Sequence, residues 1–564
     1  MASDDDKPRA EQLKADGNAL YIRGDHLAAR SKYTQAINLD GDNAVLYANR
    51  AATYIALKQC SKGADGQRLT AGCMRLIGAL QAVTLDPKNG KAWARLGKAA
   101  YELRLHELSI DAWKKALGTL PAEGLSPQED QLKQHFEEGL RLAEQGLAAV
   151  KDRSMPDDRL FSVPNLSEKL PWMRALSMEG VLTANNVLNT CAWPLMNAYK
   201  DFSDGVKYMK QLKRTDTGAE GNLNALNLIV NGLLRDQRVF HMDSPDWIEN
   251  LQLQVEFELA AFDGWPEGGP ETIKEEAVKL LKEKGWKATR NALAATIRAW
   301  FLRAYFADRS GQSKPVAMQY YNSIVDVLEW GASTWHDVPT SDRGVIFLKT
   351  FIRAIKRIRM EAYLTALVEY EAGPENEKPE FSVEELIEMA NSMVEETTSN
   401  PPKAGDGTPL DKGAWYSFHV FPIADAHATL GAIFMQQGLS AKQEGDAEEA
   451  ESMLAAAAKF YKKAAEMYPP DDENFPFFLK IAFEADWHRG RPLSETLLLC
   501  DRIRKALPAV AKIWEFNPAD KLQPHIHQLD EFETRAYTGL LKEKYTMNTP
   551  SVSLPSNQSD ILMN

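Results

Sequence analysis

The sequence predicts an all-α fold. Apolar residues recur at the i, i+3, i+4 spacing of an amphipathic helix, as in ATRNALAATIRAWFLRAYFADRSG. Other segments, such as PETIKEEAVKLLKEKGW, place acidic residues at the start and a glycine near the end, as helices do. The alternation typical of β-strands is almost absent. Because 564 residues exceed what one hydrophobic core serves, we expect two to four domains.

The composition bounds the partners and the compartment. The net charge is -13 and the pI about 5.4, which argues against nucleic acid or an anionic membrane as a general partner, because phosphate binding needs a cationic field. The start, MASDDDKPRAEQ, has no cationic segment followed by an apolar one, and no apolar run approaches the roughly 20 residues that span a bilayer. The four cysteines lack CxxC spacing, which favours a reducing compartment. We therefore expect a cytosolic protein without a membrane span.

An internal repeat organises the N-terminal part. Two blocks carry small, aromatic and turn residues at matching offsets: Gly17, Ala29, Tyr33, Ala36 and Gly41 in the first, and Gly97, Ser109, Trp113, Ala116 and Pro121 in the second. Small residues let two antiparallel helices approach closely, and the aromatic ring fills the gap between them. Each block therefore predicts a helical hairpin ended by a turn.

A middle copy lies between these two blocks and is too long. It begins at NAVLYANRAATYIAL and ends at ALQAVTLDPKNG, which exceeds one period of about 34 residues by about 12. The extra residues fall near 61–80, within the second helix of the copy. A longer helix, a loop or a mis-spliced gene would each explain them.

Five polar residues fall on the first helices of the three repeats. Lys14 and Asn18 are four residues apart and share one helix face, as do Lys91 and Arg95, while Asn49 lies on the corresponding helix of the middle repeat. When helical hairpins of this kind stack side by side, their first helices line a concave groove. Three cations and two amides converging there suit a ligand with two or more carboxylates, such as a peptide that ends in an acidic residue.

The repeat resembles the tetratricopeptide repeat over about residues 8 to 150, including a solvating helix at SPQEDQLKQHFEEGLRLAEQGLAAV. The five polar positions look like the dicarboxylate clamp of chaperone-binding tetratricopeptide domains. Those domains grip the Glu-Glu-Val-Asp tail of the cytosolic seventy- and ninety-kilodalton heat-shock chaperones. The resemblance implies a peptide-carboxylate site at Lys14, Asn18, Asn49, Lys91 and Arg95, within a three-repeat superhelix with a capping helix at residues 1–152.

The rest of the chain predicts a larger helical body. Residues 155–395 read as a helical domain of unknown type. Residues 412–540 contain a degenerate second tetratricopeptide-like region, with Gly431, Tyr461, Ala464 and Pro469 in the repeat order. The polar tail 546–564 is expected to be disordered.

A basic segment, GVIFLKTFIRAIKRIRMEAYLTALVEY, lies within this body. It fits a surface for an acidic partner or lipid. It fits better a long amphipathic helix whose cations face solvent or neighbouring carboxylates.

Catalytic patterns are missing from the sequence. Glu484 and His488 can share a helix face, and His525 and His527 form HxH, but no third ligand at metal-site spacing accompanies them. Phosphate-binding loops of the GxxxxGK[ST] type, strand-linked GxGxxG motifs and GxSxG elbows are absent. We therefore expect no catalytic residues, metal or cofactor.

Three functions remain open at this stage. The first is a non-catalytic, chaperone-docked adaptor or co-chaperone that binds acidic C-terminal tails, with a second protein partner or client for the helical body. The second is a general helical scaffold for another acidic peptide. The third, an enzyme of unrecognised class in residues 155–540, is the weakest because no catalytic constellation supports it.

Overall fold

The computed structural model describes most of the chain. The described residues are 6–23, 26–40, 43, 45–47, 49–50, 53, 79, 82–83, 85–102, 106–121, 124–151, 169–215, 218–266, 268–309, 314–371, 381–402, 411–516, 522–541 and 544–553. They fall into two compact units. One comprises Met1–Phe161, Gly490–Asp501 and Ile526–Asn564, and the other Ser162–Arg489 and Arg502–His525.

The N-terminal segment of the first unit is built from helical hairpins. Its helices are α1 (Asp6–Ile22), α2 (His26–Leu39), α3 (Gly90–Glu102), α4 (His106–Gly118) and α5 (Pro127–Lys151), with further helical positions at 45–47, 49–50 and 53. Helix α1 packs on α2, α3 on α4, and α5 covers the last hairpin. Helix α5 begins at a capping box, in which Ser126 N donates to Glu129 Oε2 at 2.8 Å and Glu129 N donates to Ser126 Oγ at 3.3 Å.

A glycine faces an aromatic ring where α1 packs on α2 and where α3 packs on α4. A Cβ on Gly17 would lie 2.7 Å from Tyr33 Cε1, and a Cβ on Gly97 would lie 2.7 Å from Trp113 Cε2. Only glycine permits such close approach without displacing the ring. The offsets that defined the repeat in the sequence therefore correspond to the packing of each helical hairpin.

The second unit is also helical. It contains α6 (Pro171–Ala184), α7 (Ala192–Met209), α8 (Ala225–Arg235), α9 (Trp247–Ala261), α10 (Pro270–Arg309), α11 (Lys314–Thr334), α12 (Thr340–Arg343), α13 (Lys349–Glu371), α14 (Val383–Ser399), α15 (Lys412–Trp415), α16 (Phe421–Glu444), α17 (Ala447–Met467) and α18 (Asn474–His488). Two further helices, α19 (Leu493–Trp514) and α20 (Gln523–Leu541), contribute residues to both units. Strands β1 (Lys213–Thr215) and β2 (Gly218–Glu220) form one antiparallel hairpin, the only sheet among the described residues. The all-α prediction is confirmed.

The predicted C-terminal repeat has the helix pair that it requires. Helices α16 and α17 pack along each other, and a Cβ on Gly431 would lie 3.0 Å from the Tyr461 ring. Tyr461 is buried in a core with Leu454 and Ala482. The glycine and tyrosine that marked this region in the sequence thus meet as Gly17 and Tyr33 do.

The basic segment is turned inward. Arg353 is 1% exposed and donates to the carbonyl of Phe418 at 2.8 Å, and Arg357 Nε lies 2.9 Å from Asp425 Oδ2. The carbonyl of Phe418 belongs to a short π-helix at Tyr416–Val420, the turn preceding α16. These arginines therefore stabilise the interior, which agrees with the expectation of cations facing neighbouring carboxylates.

One helical stretch is long and apolar enough, by length and composition alone, to cross a membrane. It is Lys412–Glu444, and 56% of its most apolar window is buried inside the fold. Burial of that extent is typical of the core helix of a globular domain, and Gly431, at its centre, packs against Tyr461. Packing within the protein thus explains its apolar character.

The prediction of disorder from residue 546 is wrong as far as residue 553. Leu493 N donates to Thr549 O at 3.0 Å, Ser494 N to Met547 O at 2.9 Å, and Ser551 N to Arg491 O at 2.9 Å. The polar composition suggested disorder, but pairing of backbone groups depends little on side-chain polarity. Residues 554–564 lie outside the described residues, as do residues 61–78 of the expected insertion. The domain boundaries stay predictions.

Candidate functional site

The predicted carboxylate site spans three helical segments. Lys14 and Asn18 lie one turn apart on α1, Lys91 and Arg95 lie one turn apart on α3, and Asn49 is helical between them in sequence. The i, i+4 spacing puts each pair on one helix face. The structure therefore keeps both pairs on regular helices, as the sequence predicted.

The two asparagines are in direct contact. Asn49 Nδ2 donates to Asn18 Oδ1 at 3.1 Å, although 31 residues separate them in the sequence. The hydroxyl of Tyr33, on α2, donates to the same oxygen at 2.7 Å. The Asn18 oxygen is therefore occupied by two protein donors, and among the described residues no acceptor pairs with its Nδ2 hydrogens.

Arg95 lies near Tyr33, which bonds the Asn18 amide. Its guanidinium interacts electrostatically with the hydroxyls of Tyr21 and Tyr33, and Tyr33 is bonded to Asn18. Burial lowers the pKa of Arg95 from its usual range, and the two phenols partly oppose that shift. A guanidinium partly removed from water gains more from a carboxylate partner than an exposed one does. Asn18, Asn49 and Tyr33 thus form one hydrogen-bonded cluster, and Arg95 interacts electrostatically with Tyr33.

The two lysines differ in their surroundings. Lys14 Nζ lies 2.6 Å from Glu11 Oε1, and the Lys14 side chain is 23% exposed against 56% for Glu11. Lys91 is exposed, and it has no ion-pair partner within the described part of the chain. One cation of the predicted set is therefore already engaged by a carboxylate on its own helix.

Comparison with known proteins gives relatives that match about a quarter of the chain. Family models give no match. The chain is 33% identical over 135 residues to small glutamine-rich tetratricopeptide repeat-containing protein 2 of Mycosarcoma maydis, which is 23% of this chain and 35% of that protein. It is 29% identical over 163 residues to the heat-shock protein cognate (HSC) co-chaperone sgt12 of Aspergillus fumigatus, or 28% of this chain and 44% of that protein.

The N-terminal segment resembles tetratricopeptide-repeat co-chaperones. The chain spans less than half the length of these two curated relatives. Among solved structures, the Sgt2 tetratricopeptide domain from Aspergillus fumigatus is 25% identical, covers 28% of this chain and 94% of that chain, and has a TM-score of 0.22. The resemblance to the two curated relatives concerns about a quarter of the chain.

Two contacts in the N-terminal segment were not predicted from the sequence. Tyr33 was read only as a ring that fills the gap between helices, whereas its hydroxyl also bonds Asn18. Glu11 stands three residues before Lys14, a spacing at which opposite charges meet on a helix, and this signal was available in the sequence. The contact of Tyr33 with Asn18 required the three-dimensional arrangement of α1 and α2.

Outside the N-terminal segment, the candidate metal ligands Glu484 and His488 make other contacts. Within the described ranges no group of three or more His, Cys, Asp or Glu side chains is placed to hold a metal. Glu484 pairs with Lys480, and both are buried. His488 lies at the end of α18, where its carbonyl accepts from Lys442 Nζ at 2.8 Å. The side chain of His527 lies outside the described residues.

Burial of His488 makes the second unit sensitive to acid. Burial and the nearby Lys442 lower the pKa of His488 from 6.5 to about 4. Between pH 6.5 and 4 the unfolded chain binds a proton that the folded chain does not, so stability is lost as the pH falls across this window. The free energy of unfolding should fall by up to about 1.4 kcal/mol per pH unit, and by about 3 kcal/mol over the whole window. Urea unfolding at pH 7 and pH 4.5 measures it.

His488→Gln should flatten the dependence of stability on pH in this window. His336→Gln, at a histidine whose side chain is 68% exposed, is the matched control and should leave the dependence unchanged. An unaltered slope in His488→Gln would show that other groups cause the acid sensitivity.

Proposed function

We propose that the tetratricopeptide segment binds the acidic C-terminal tail of a cytosolic seventy- or ninety-kilodalton heat-shock chaperone. The observation that carries this proposal is the amide pair of Asn18 and Asn49, bonded at 3.1 Å, with Arg95 interacting with the Tyr33 hydroxyl that bonds the same oxygen. Asparagine is a poor residue for a helix interior, so two of them meeting from different repeats indicate a role beyond helix formation. They suit recognition of a ligand.

The chemistry of the site matches a carboxylate-rich ligand. A carboxylate accepts hydrogen bonds and donates none, so it needs N–H donors and cations. Asn18 and Asn49 supply neutral donors, Arg95 supplies a planar guanidinium suited to bidentate bonding, and Lys14 and Lys91 supply point charges. A C-terminal aspartate carries two carboxylates on one residue. Such a residue can bond to the amides, the guanidinium and the lysines at the same time.

The curated relatives support a chaperone partner. One is named a heat-shock protein cognate co-chaperone, and another, at 30% identity over 162 residues, is heat shock protein STI1 of Saccharomyces cerevisiae. The match to STI1 covers 28% of this chain and 24% of that protein. Because these matches cover only 28% of the chain, the rest of it remains for a second partner or client. The chain would then act as a non-catalytic adaptor.

Binding of the full chain to a synthetic peptide ending in Glu-Glu-Val-Asp tests the proposal. The free acid should bind with a Kd in the micromolar range, about −8 kcal/mol, and more weakly as salt is added. The same peptide with a C-terminal amide should bind at least about tenfold more weakly, because one carboxylate loses its charge-assisted bonds. Isothermal titration calorimetry measures both.

Equal affinity for the acid and the amide would contradict a clamp on the chain terminus. It would favour a scaffold that reads internal acidic sequence instead. Absence of binding by either peptide would overturn the proposed ligand.

A further inference from the structure

The hydroxyl of Tyr33 has a role separate from its ring. The ring packs against Gly17 and the residue is 2% exposed, so the side chain cannot swing away. The hydroxyl donates to Asn18 Oδ1, on the facing helix α1, at 2.7 Å. A phenylalanine would fill the same gap, so the hydroxyl is not needed for hairpin packing.

This hydroxyl determines which side of the Asn18 amide faces outward. A carboxamide has two acceptor positions on its oxygen and two N–H donors on its nitrogen. Tyr33 and Asn49 occupy both acceptor positions of Asn18 Oδ1. The oxygen is therefore fixed toward the protein, and the Nδ2 hydrogens lie on the opposite side. A carboxylate ligand needs those hydrogens and would be repelled by the oxygen.

Arg95 favours the same arrangement. Burial raises the pKa of the Tyr33 phenol, and the positive charge of the nearby Arg95 partly opposes that rise. A cation attracts the lone pairs of the phenolic oxygen and leaves its proton to point away. The proton of Tyr33 is in fact donated to Asn18. Tyr33 thus links the arginine and the amide.

We propose that Tyr33 is a positioning residue, which holds the Asn18 carboxamide with its N–H groups toward the bound carboxylate. The inference rests on the proposed function, since it concerns the same site. It assigns part of the ligand affinity to a residue that does not touch the ligand. Without the hydroxyl, Asn18 can rotate its oxygen outward, and only a fraction of molecules would present the donor.

A double-mutant cycle on the full chain tests this inference. Tyr33→Phe should weaken binding of the free-acid peptide ending in Glu-Glu-Val-Asp by about five- to tenfold, as expected for one neutral hydrogen bond. In an Asn18→Ala background the same substitution should change the Kd less than about twofold, because the amide it positions is gone. Circular dichroism melts accompany each titration.

Tyr461→Phe is the matched control, because this tyrosine packs on Gly431 as Tyr33 packs on Gly17. It should leave the Kd unchanged. Two results would overturn the positioning role and leave the proposed function standing. In the first, Tyr33→Phe binds the peptide as tightly as the unmodified chain. In the second, Tyr33→Phe weakens binding as much in the Asn18→Ala background as in the unmodified chain. If the unmodified chain does not bind the free acid, the proposed function fails and the inference fails with it.

Discussion

Arg95→Ala is expected to weaken binding of the free-acid peptide at least about a hundredfold. The guanidinium is partly buried beside Tyr21 and Tyr33, so its charge is poorly screened by solvent. Truncating one partner of a buried, hydrogen-bonded charge pair typically costs about 2–5 kcal/mol of binding free energy. Calorimetric titration of the full-length variant measures the loss.

Arg141→Ala provides the matched control for charge. Arg141 lies on α5, where it is 52% exposed and pairs with Glu138 at 2.6 Å. The substitution Arg141→Ala removes the same charge from the same segment as Arg95→Ala. It should change the Kd less than about twofold, because an exposed ion pair contributes little free energy. Similar losses in the two variants would mean that the peptide responds to net charge, and the clamp would be rejected.

Arg238→Met is expected to destabilise the second unit by about 3–5 kcal/mol. Arg238 Nη2 lies 2.8 Å from Asp236 Oδ2, Arg238 Nη1 lies 2.8 Å from Asp472 Oδ1, and the guanidinium stacks 4.3 Å from the ring of Trp514. Asp236 is 2% exposed and Asp472 is fully buried. Methionine would leave two buried carboxylates without the guanidinium that bonds them both. Urea unfolding monitored by circular dichroism measures the change.

Two further variants separate charge burial from packing. Adding Asp236→Asn and Asp472→Asn to Arg238→Met should restore much of the lost stability, because the uncompensated charges are then gone. Lys200→Met removes an exposed ion pair with Glu179 in the same unit and should change stability less than about 0.5 kcal/mol. If the triple variant is no more stable than Arg238→Met, lost packing explains the defect.

Local sequence signals predicted the features that depend on near neighbours. The offset between Gly17 and Tyr33 predicted a hairpin, because a small residue and a ring must face each other at that spacing. The same reasoning located Gly431 and Tyr461 far along the chain. Ser126 and Glu129 form a capping box that begins the predicted capping helix. Each of these features lies within one helix or one hairpin.

Features made by residues distant in sequence were not predictable in this way. The cluster of Arg238 and Asp472 joins residues 234 positions apart, and no periodicity announces such a pair. The contact of Asn49 with Asn18 was anticipated only as a shared groove, without its hydrogen bond. Residues 546–553 were misread because their order comes from backbone pairing with residues 491–494, which leaves no hydrophobic pattern.

The pairing of Glu11 with Lys14 has a consequence for selectivity. Because the lysine already has a carboxylate at 2.6 Å, an incoming anion exchanges one counter-ion for another there and gains little from that exchange alone. If the groove binds an acidic tail as proposed, Lys14 therefore adds little to its affinity for any anion. That affinity must come from the amides and Arg95, which an anion held by Lys14 alone does not contact. The proposed site would then distinguish ligands by how many of its groups they contact at once.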